Sequence, residues 1–259
     1  LARCRVPFTP REGVRLQRIG DLLYRFDFAL DPAVRRIYAG AYETDTVALL
    51  RRLLRPGDTF VDVGANLGYL SAIAADAVGR SGRIVSYEPV PSLYAYLREI
   101  VAMNPGYAWE VFPVAIGADD GYAEITLSNK NIGWNSLVPD QIAEEYVAGC
   151  VRVPVQSLDR TLADAGVSHV RVVKIDAEGY EGPIFQGMRR LLTERCVEHL
   201  IAEINPPEWK RLGLEIDEFL DWIAALGYRV HEVRPPYRPA AIAPGGGAPN
   251  VWIRPADWR

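Results

Sequence analysis

The chain has 259 residues, 49% of them apolar, with a net charge of −4 and an isoelectric point near 5.5. That length suits one large α/β domain with extensions, and the acidic balance argues against a nucleic-acid binder that works through a broad basic face. No run of about 18 apolar residues predicts a transmembrane helix, no signal-peptide pattern opens the chain, and Cys4, Cys150 and Cys196 are too few and scattered for a disulfide framework or a zinc site; a cytoplasmic location is expected.

Residues 1–55 read as an N-terminal extension. Val14 to Ile19 alternates, Gly20-Asp21 makes a turn, and Leu22 to Phe28 continues as a second strand, which predicts a hairpin. Asp31-Pro32 predicts a helix start, and Thr44 to Leu54 a second helix stopped by Pro56-Gly57. Glu43, just before that helix and near the entry to the main sheet, reads most simply as a surface acid; the alternative is that it faces a ligand. Residues 56–259 read as the main domain.

Its first strand, Thr59 to Val63, ends at Gly64. Asn66 and Gly68 follow, and Leu70, Ile73, Ala74, Ala77 and Val78 then fall at helical spacing over 67–78. Strand, glycine turn and helix open a nucleotide-type α/β fold. Glycine suits both turn positions, and Asn66 is placed to cap the helix. The pattern is Asp62-x-Gly64-x-Asn66-x-Gly68 rather than Gly-x-Gly-x-x-Gly. An acid at the strand end would repel a pyrophosphate and suits a cationic ligand; S-adenosylmethionine carries a sulfonium and an ammonium. A bare turn without a ligand is the competing reading, and it leaves a costly buried acid.

Arg83 to Tyr87 is a second strand ending at Glu88, where α/β nucleotide folds hold ribose hydroxyls. A helix over 91–103 and a strand over 109–114 follow, ending in Ala115-Ile116-Gly117, small enough for an adenine to lie against the backbone. Residues 121–157 read as a β insertion, and its irregular part, 128–149, carries Asn131, Gly133, Trp134, Asn135 and Ser136. It is expected to be a mobile cover over the site; the alternative is a surface loop with Trp134 folded onto the core. Val170 to Ile175 is a buried strand ending in Asp176. A helix through Ile184, Met188, Leu191 and Leu192, a strand over 199–204, a helix over 215–226 and late strands at 228–233 and 251–253 complete the chain. The alternation implies a mostly parallel sheet covered on both faces.

The candidate catalytic residues are Asp176 and Glu178 at the strand's C-terminal mouth, with Lys174 on the same face as Asp176. Lys174 would hold Asp176 ionised; a buried ion pair without catalysis is the alternative. Glu203 and Asn205 end the next strand, so Asp176, Glu203 and Asn205 are the candidate ligands for Mg²⁺.

Four blocks, Val61 to Gly68, Tyr87-Glu88-Pro89, Val114 to Gly117 and Lys174-Ile-Asp-Ala-Glu-Gly-Tyr-Glu181, together resemble the FkbM family of S-adenosylmethionine-dependent methyltransferases over about residues 40–205. The last block is the most specific. The resemblance implies the class I methyltransferase fold, a Rossmann-like sheet of seven strands with one reversed near the C-terminus, and S-adenosylmethionine as cofactor. Carried over by position, Gly64, Asn66 and Gly68 would cradle its methionine part with Asp62 nearby. Glu88 would bind the ribose, Ala115 would lie by the adenine, and Asp176 would stand next to the transferred methyl. Family members mostly methylate hydroxyls, so O-methylation of a small-molecule or glycan acceptor is expected, a sugar first and a polyketide-type product second. Two further alternatives are an N-methyltransferase using Asn205-Pro206-Pro207 and a cofactor-binding module without activity.

Overall fold

The computed structural model describes residues 12–258, so Cys4 lies outside it; Cys150 and Cys196 are free thiols. The predicted hairpin forms from β1 (Val14–Ile19) and β2 (Leu22–Asp27), antiparallel from Val14↔Asp27 to Ile19↔Leu22. It is one-sided. Leu22, Tyr24 and Phe26 are buried, whereas Val14 and Leu16 are exposed. Each buried side chain contributes roughly 1.5–3 kcal/mol of apolar burial. Asn104 pins β2 as a strand neighbour would, accepting from Leu23 N and donating to Leu23 O, both at 2.8 Å. Helices α1 (Ala33–Tyr38) and α2 (Thr44–Leu53) follow. Asp31 Oδ1 accepts from Ala33 N at 2.7 Å, the start predicted for α1, and its Oδ2 accepts from Ile132 N at 3.1 Å.

The main sheet begins with β3 (Thr59–Val63), α3 (Tyr69–Val78), β4 (Arg83–Tyr87), α4 (Pro91–Ala102) and β5 (Ala108–Phe112). β6 (Ala115–Ile116), β7 (Gly121–Ser128) and β8 (Val147–Gln156) make a separate three-stranded sheet, followed by α5 (Leu158–Asp164) and β9 (Val170–Ile175). The chain continues through α6 (Glu181–Gln186), α7 (Arg189–Thr193), β10 (Val197–Glu203), α8 (Pro206–Arg211), α9 (Ile216–Ala225), β11 (Tyr228–Glu232) and β12 (Asn250–Pro255). The seven strands lie in the order β11-β12-β10-β9-β3-β4-β5. β12 is antiparallel to both neighbours, and the pairs from β10 to β5 are parallel.

Side chains alternate across this sheet and divide the interior in two. Phe60, Ile84, Val172, Ile201 and Trp252 face a core shared with α3, α4 and the N-terminal hairpin. Val61, Val85, Val173, Leu200 and Ile253 face the core under α6, α8 and α9. The first 55 residues thus complete one face of the sheet and have no separate core among the described residues.

Three sequence expectations shift. The third strand stops at Phe112, and Ala115–Ile116 leaves the main sheet to run parallel to Val155–Gln156. The helix expected through Ile184 and Leu192 is broken at Gly187, where a Cβ would stand 1.9 Å from Gly117 O. Two backbones meet there, and Asp159 starts the second piece by accepting from Arg190 N and Leu191 N at 2.8 and 2.9 Å. Helices α5 and α8 were not legible as helices. Ser157 caps α5 by accepting from Arg160 N, and Pro206 sits in the first turn of α8.

His199 on β10 is fully buried, between the rings of Trp252 and Trp258 at 5.7 and 5.2 Å. Burial, reinforced by Arg171 and Arg254 against Glu198, pushes its pKa down to about 4. The unfolded chain therefore binds the proton first as pH falls, and stability is lost from about pH 6.5 down to 4. Urea unfolding at pH 7.5 and 4.5 should show a pH-dependent loss about 2–3 kcal/mol smaller in His199→Phe than in the wild type.

Candidate active site

The site grows from the parallel register. On the face that carries Phe60 and Val172, the next inward positions are Asp62 and Lys174, which pair directly across β3 and β9, with Ser86 opposite Asp62 on β4. All three are buried. Ser71 of α3 joins them, its hydroxyl donating to Asp62 Oδ2 and lying 2.8 Å from Ser86 Oγ, which in turn accepts from Trp109 Nε1 at 2.9 Å. Lys174 Nζ donates to Asp176 Oδ2 at 2.7 Å, the pair expected from the sequence. A polar row thus crosses three strands at the C-terminal edge of an apolar sheet, where open α/β sheets bind ligands.

Lys174 is 3% exposed. Burial alone would lower its pKa, but Asp176, Glu43 and Asp62 outweigh it and the net shift is upward, so the ammonium stays charged. Asp62 is raised by burial against the pull of Lys174 and Ser71. Its Oδ1 is buried and meets no donor among the described residues.

Gly64 has φ +77°, and a Cβ there would stand 1.8 Å from Asp176 O. Only glycine lets the two strand ends close to this distance. The amides of Gly64 and Ala65 donate to Tyr87 O at 3.1 and 3.0 Å. Asn66 does not cap α3 as expected. Its backbone is left-handed, φ +51°, its amide donates to Glu88 Oε2 at 2.8 Å, and Gly68 takes the N-cap position. The reason is geometric: the chain is still turning at Asn66 and enters the helix two residues later. Glu88 is buried and also accepts from Val90 N at 2.9 Å; burial raises its pKa to about 7 against these two amides. Each of its oxygens keeps a lone pair, which fits hydroxyl donors.

These residues line a cleft of about 330 Å³. Asp62, Gly64, Asn66, Glu88, Ala115, Lys174, Asp176 and Glu178 all face it; Gly68, Glu203 and Asn205 do not. Tyr42 and Glu43 enter from the N-terminal section, and residues 131–135 of the insertion also line the cleft. That loop is tied at several points. Ser136 is buried, exchanges backbone hydrogen bonds with Thr126 and donates its hydroxyl to Glu178 O at 3.0 Å. Trp134 is 43% exposed at the rim and is not folded onto the core.

Glu181 is the functional-site acid that the sequence reading passed over. It is fully buried; Oε1 accepts from Ala177 N and Gly179 N, both at 3.0 Å, and Oε2 from Trp209 Nε1 at 3.2 Å. It holds the turn in which Glu178 and Gly179 adopt φ +49° and +95°. The signal was present as a glycine followed two residues later by an acid. Glu178 and Glu203 are both raised, first by burial and then by Asp176.

The metal expectation gains no support from this geometry. Asp176 and Glu203 do converge, with Glu181 as the third acid, their oxygens within 4.8 Å of one another. Glu181, however, is committed to three N–H donors and the Lys174 ammonium sits on Asp176 Oδ2. Asn205 starts α8, its carbonyl accepting from Glu208 N and Trp209 N. With Glu181 and one oxygen of Asp176 already engaged by protein donors, the set Asp176, Glu203 and Asn205 gains no support as a metal site.

A seven-stranded sheet with one reversed strand and an acid-lined cleft at its C-terminal edge is the class I methyltransferase fold. The chain belongs to the FkbM family: the model of the methyltransferase FkbM domain matches residues 62–230. Among curated proteins it is similar to the hexuronic acid methyltransferase AglP of Haloferax volcanii, 26% identical over 63% of this chain and 62% of that enzyme, less than two thirds of its length. It is also similar to the 31-O-demethyl-FK506 methyltransferase FkbM of Streptomyces tacrolimicus, 26% identical over 67% of this chain and 70% of that one. The crystal structure of a methyltransferase FkbM from Methylobacillus flagellatus is 15% identical, with a TM-score of 0.47 over 86% of this chain and 54% of the other. No helix among the described residues is long and apolar enough to cross a membrane.

Gly64→Ala should disorder the site, because the new methyl group meets a backbone oxygen and no flexible side chain. A loss of about 3 kcal/mol or more is expected from strain and overlap together, read as a fall in Tm with loss of cofactor binding in the same variant.

Proposed function

We propose that the protein transfers the methyl group of S-adenosylmethionine to a hydroxyl of a small molecule or glycan, a sugar first. The observation that carries this reading is the charge of the cleft. Six carboxyl groups, Asp31, Glu43, Asp62, Glu88, Asp176 and Glu178, line it against two cations, Arg36 and the buried Lys174. Such a wall attracts a cationic cofactor and supports an acceptor whose reacting group is neutral, a hydroxyl first. The names of the two relatives, one for a hexuronic acid and the other for an O-demethylated FK506, are in keeping with oxygen acceptors. The hydroxyl reading is favoured over the amine alternative in that Asn205-Pro206-Pro207 opens α8 and is not among the residues lining the cleft.

The cofactor, when bound, supplies a methyl group activated by a positive sulfur. Asp62, with its unpartnered Oδ1, suits an ammonium, and Glu88 suits the ribose hydroxyls. Asp176, fixed by Lys174, orients the acceptor hydroxyl, with Glu178 beside it; positioning of this kind supplies much of the rate in a displacement. Acceptor choice lies in the parts that differ from a bare methyltransferase sheet, residues 31–43 and 131–135.

The test is transfer of a labelled methyl group to a panel of methyl hexosides, hexuronic acids, a hydroxylated macrolide and primary amines. Label is expected on a hydroxyl oxygen; label on amines or carboxylates alone overturns the reading, and cofactor binding with no transfer to any of them favours a non-catalytic module. Glu88→Ala should weaken cofactor binding by about 1–3 kcal/mol in calorimetry. Asp176→Asn should keep that affinity and lower turnover about 10²-fold.

A further inference from the structure

Glu43 lies outside residues 62–230, the segment matched by the family, yet it faces the cleft. Its backbone is left-handed, φ +42° and ψ 46°, an unfavourable conformation for a residue with a Cβ. The strain aims a long acidic side chain inward from the start of α2. Its Oε2 is buried and meets no donor among the described residues. The charged and titratable groups that act on it or feel it are Lys174 and Asp176 at the end of β9, Asp62 on β3, Glu203 on β10, Tyr69 on α3 and its neighbour Tyr42. Lys174 is already bonded to Asp176. Glu43 is thus a carboxylate held at the reaction centre with an oxygen to spare.

We propose that Glu43 meets the positive charge of the bound sulfonium and takes the acceptor's proton once the methyl group has left. This rests on the hydroxyl-methylating function proposed above. In the step, the hydroxyl oxygen forms its bond to the methyl carbon and the carbon–sulfur bond breaks, its electron pair returning to sulfur. The hydroxyl proton passes to Glu43. The sulfonium favours ionised Glu43 before transfer. Afterwards the sulfur is neutral, and burial together with the surrounding carboxylates favours the protonated acid. The loss of charge on the cofactor therefore makes the base stronger at the moment it is needed.

No acceptor is required to test this. S-adenosylmethionine and S-adenosylhomocysteine differ in that one charge, so calorimetry of each in two buffers of different ionisation enthalpy reads the protons released on binding. At pH 6.5 the sulfonium form should release more protons than the thioether form. Glu43→Gln should remove most of that difference while binding S-adenosylhomocysteine within about 2-fold of the wild type. Equal release for the two ligands in the wild type, or an unchanged difference in Glu43→Gln, overturns the proposal. A wild-type pH series gives a check that needs no variant: the difference should shrink toward zero by pH 9.5, and a difference independent of pH overturns the proposal as well. Failure of the wild type to bind either ligand would instead remove the cofactor reading on which the proposal stands.

Discussion

One buried ammonium organises the molecule's working edge. Lys174 lies among Asp62, Asp176 and Glu43, in a place where burial by itself would lower its pKa. Those carboxylates keep it charged, and it in turn makes their burial tolerable. Removing either partner of such an arrangement leaves an uncompensated charge in a low-dielectric interior, which costs several kcal/mol. The count remains unequal, since acids outnumber the lysine. The surplus is what a cationic ligand can satisfy; burial first, and neighbouring acids after it, shift Asp62, Glu88 and Glu178 upward.

The constraint reaches back into the sheet. Asp62 and Lys174 are register partners on parallel strands, so their pairing is a property of strand alignment and not of flexible side chains. A slip of one residue would turn both onto the opposite face, among Val61 and Val173. The apolar residues along β3 and β9 hold the register, and Gly64 lets the strand ends approach closely enough for Asp176 to stand beside the turn. Tyr24 fastens the N-terminal hairpin to the same turn, its hydroxyl donating to Leu67 O at 2.8 Å. Stability and function therefore share one set of contacts.

Most of this was legible in the chain. Period-two strands, glycine punctuation and amphipathic helices located a mostly parallel sheet, the family resemblance implied its seven strands, and the acids at strand ends located the cleft. What was missed depends on contacts between distant segments. The break at Gly187 exists because Gly117 lies against it, and neither residue predicts the other. Asn66 has the chemistry of a cap, but the chain's path around Glu88 claims its amide instead. Glu203 ends β10 and converges with Asp176 and Glu181 as strand order suggests, yet neither it nor Asn205 lines the cleft. Glu43 reads as a surface acid from its neighbours alone; only the packing of α2 against the sheet turns it inward.

The two-handed carboxylate of Asp31 has a consequence for how such a protein diversifies. One oxygen satisfies the first amide of α1 and the other holds Ile132 in the insertion, a hundred residues away. The front and the roof of the cleft are therefore a single joint part made from two remote stretches of gene. Exchanging the insertion between relatives would import a roof cut for a different front. New acceptor preferences should thus be inherited as matched pairs of segments, and recombination within this family should succeed where both are carried together.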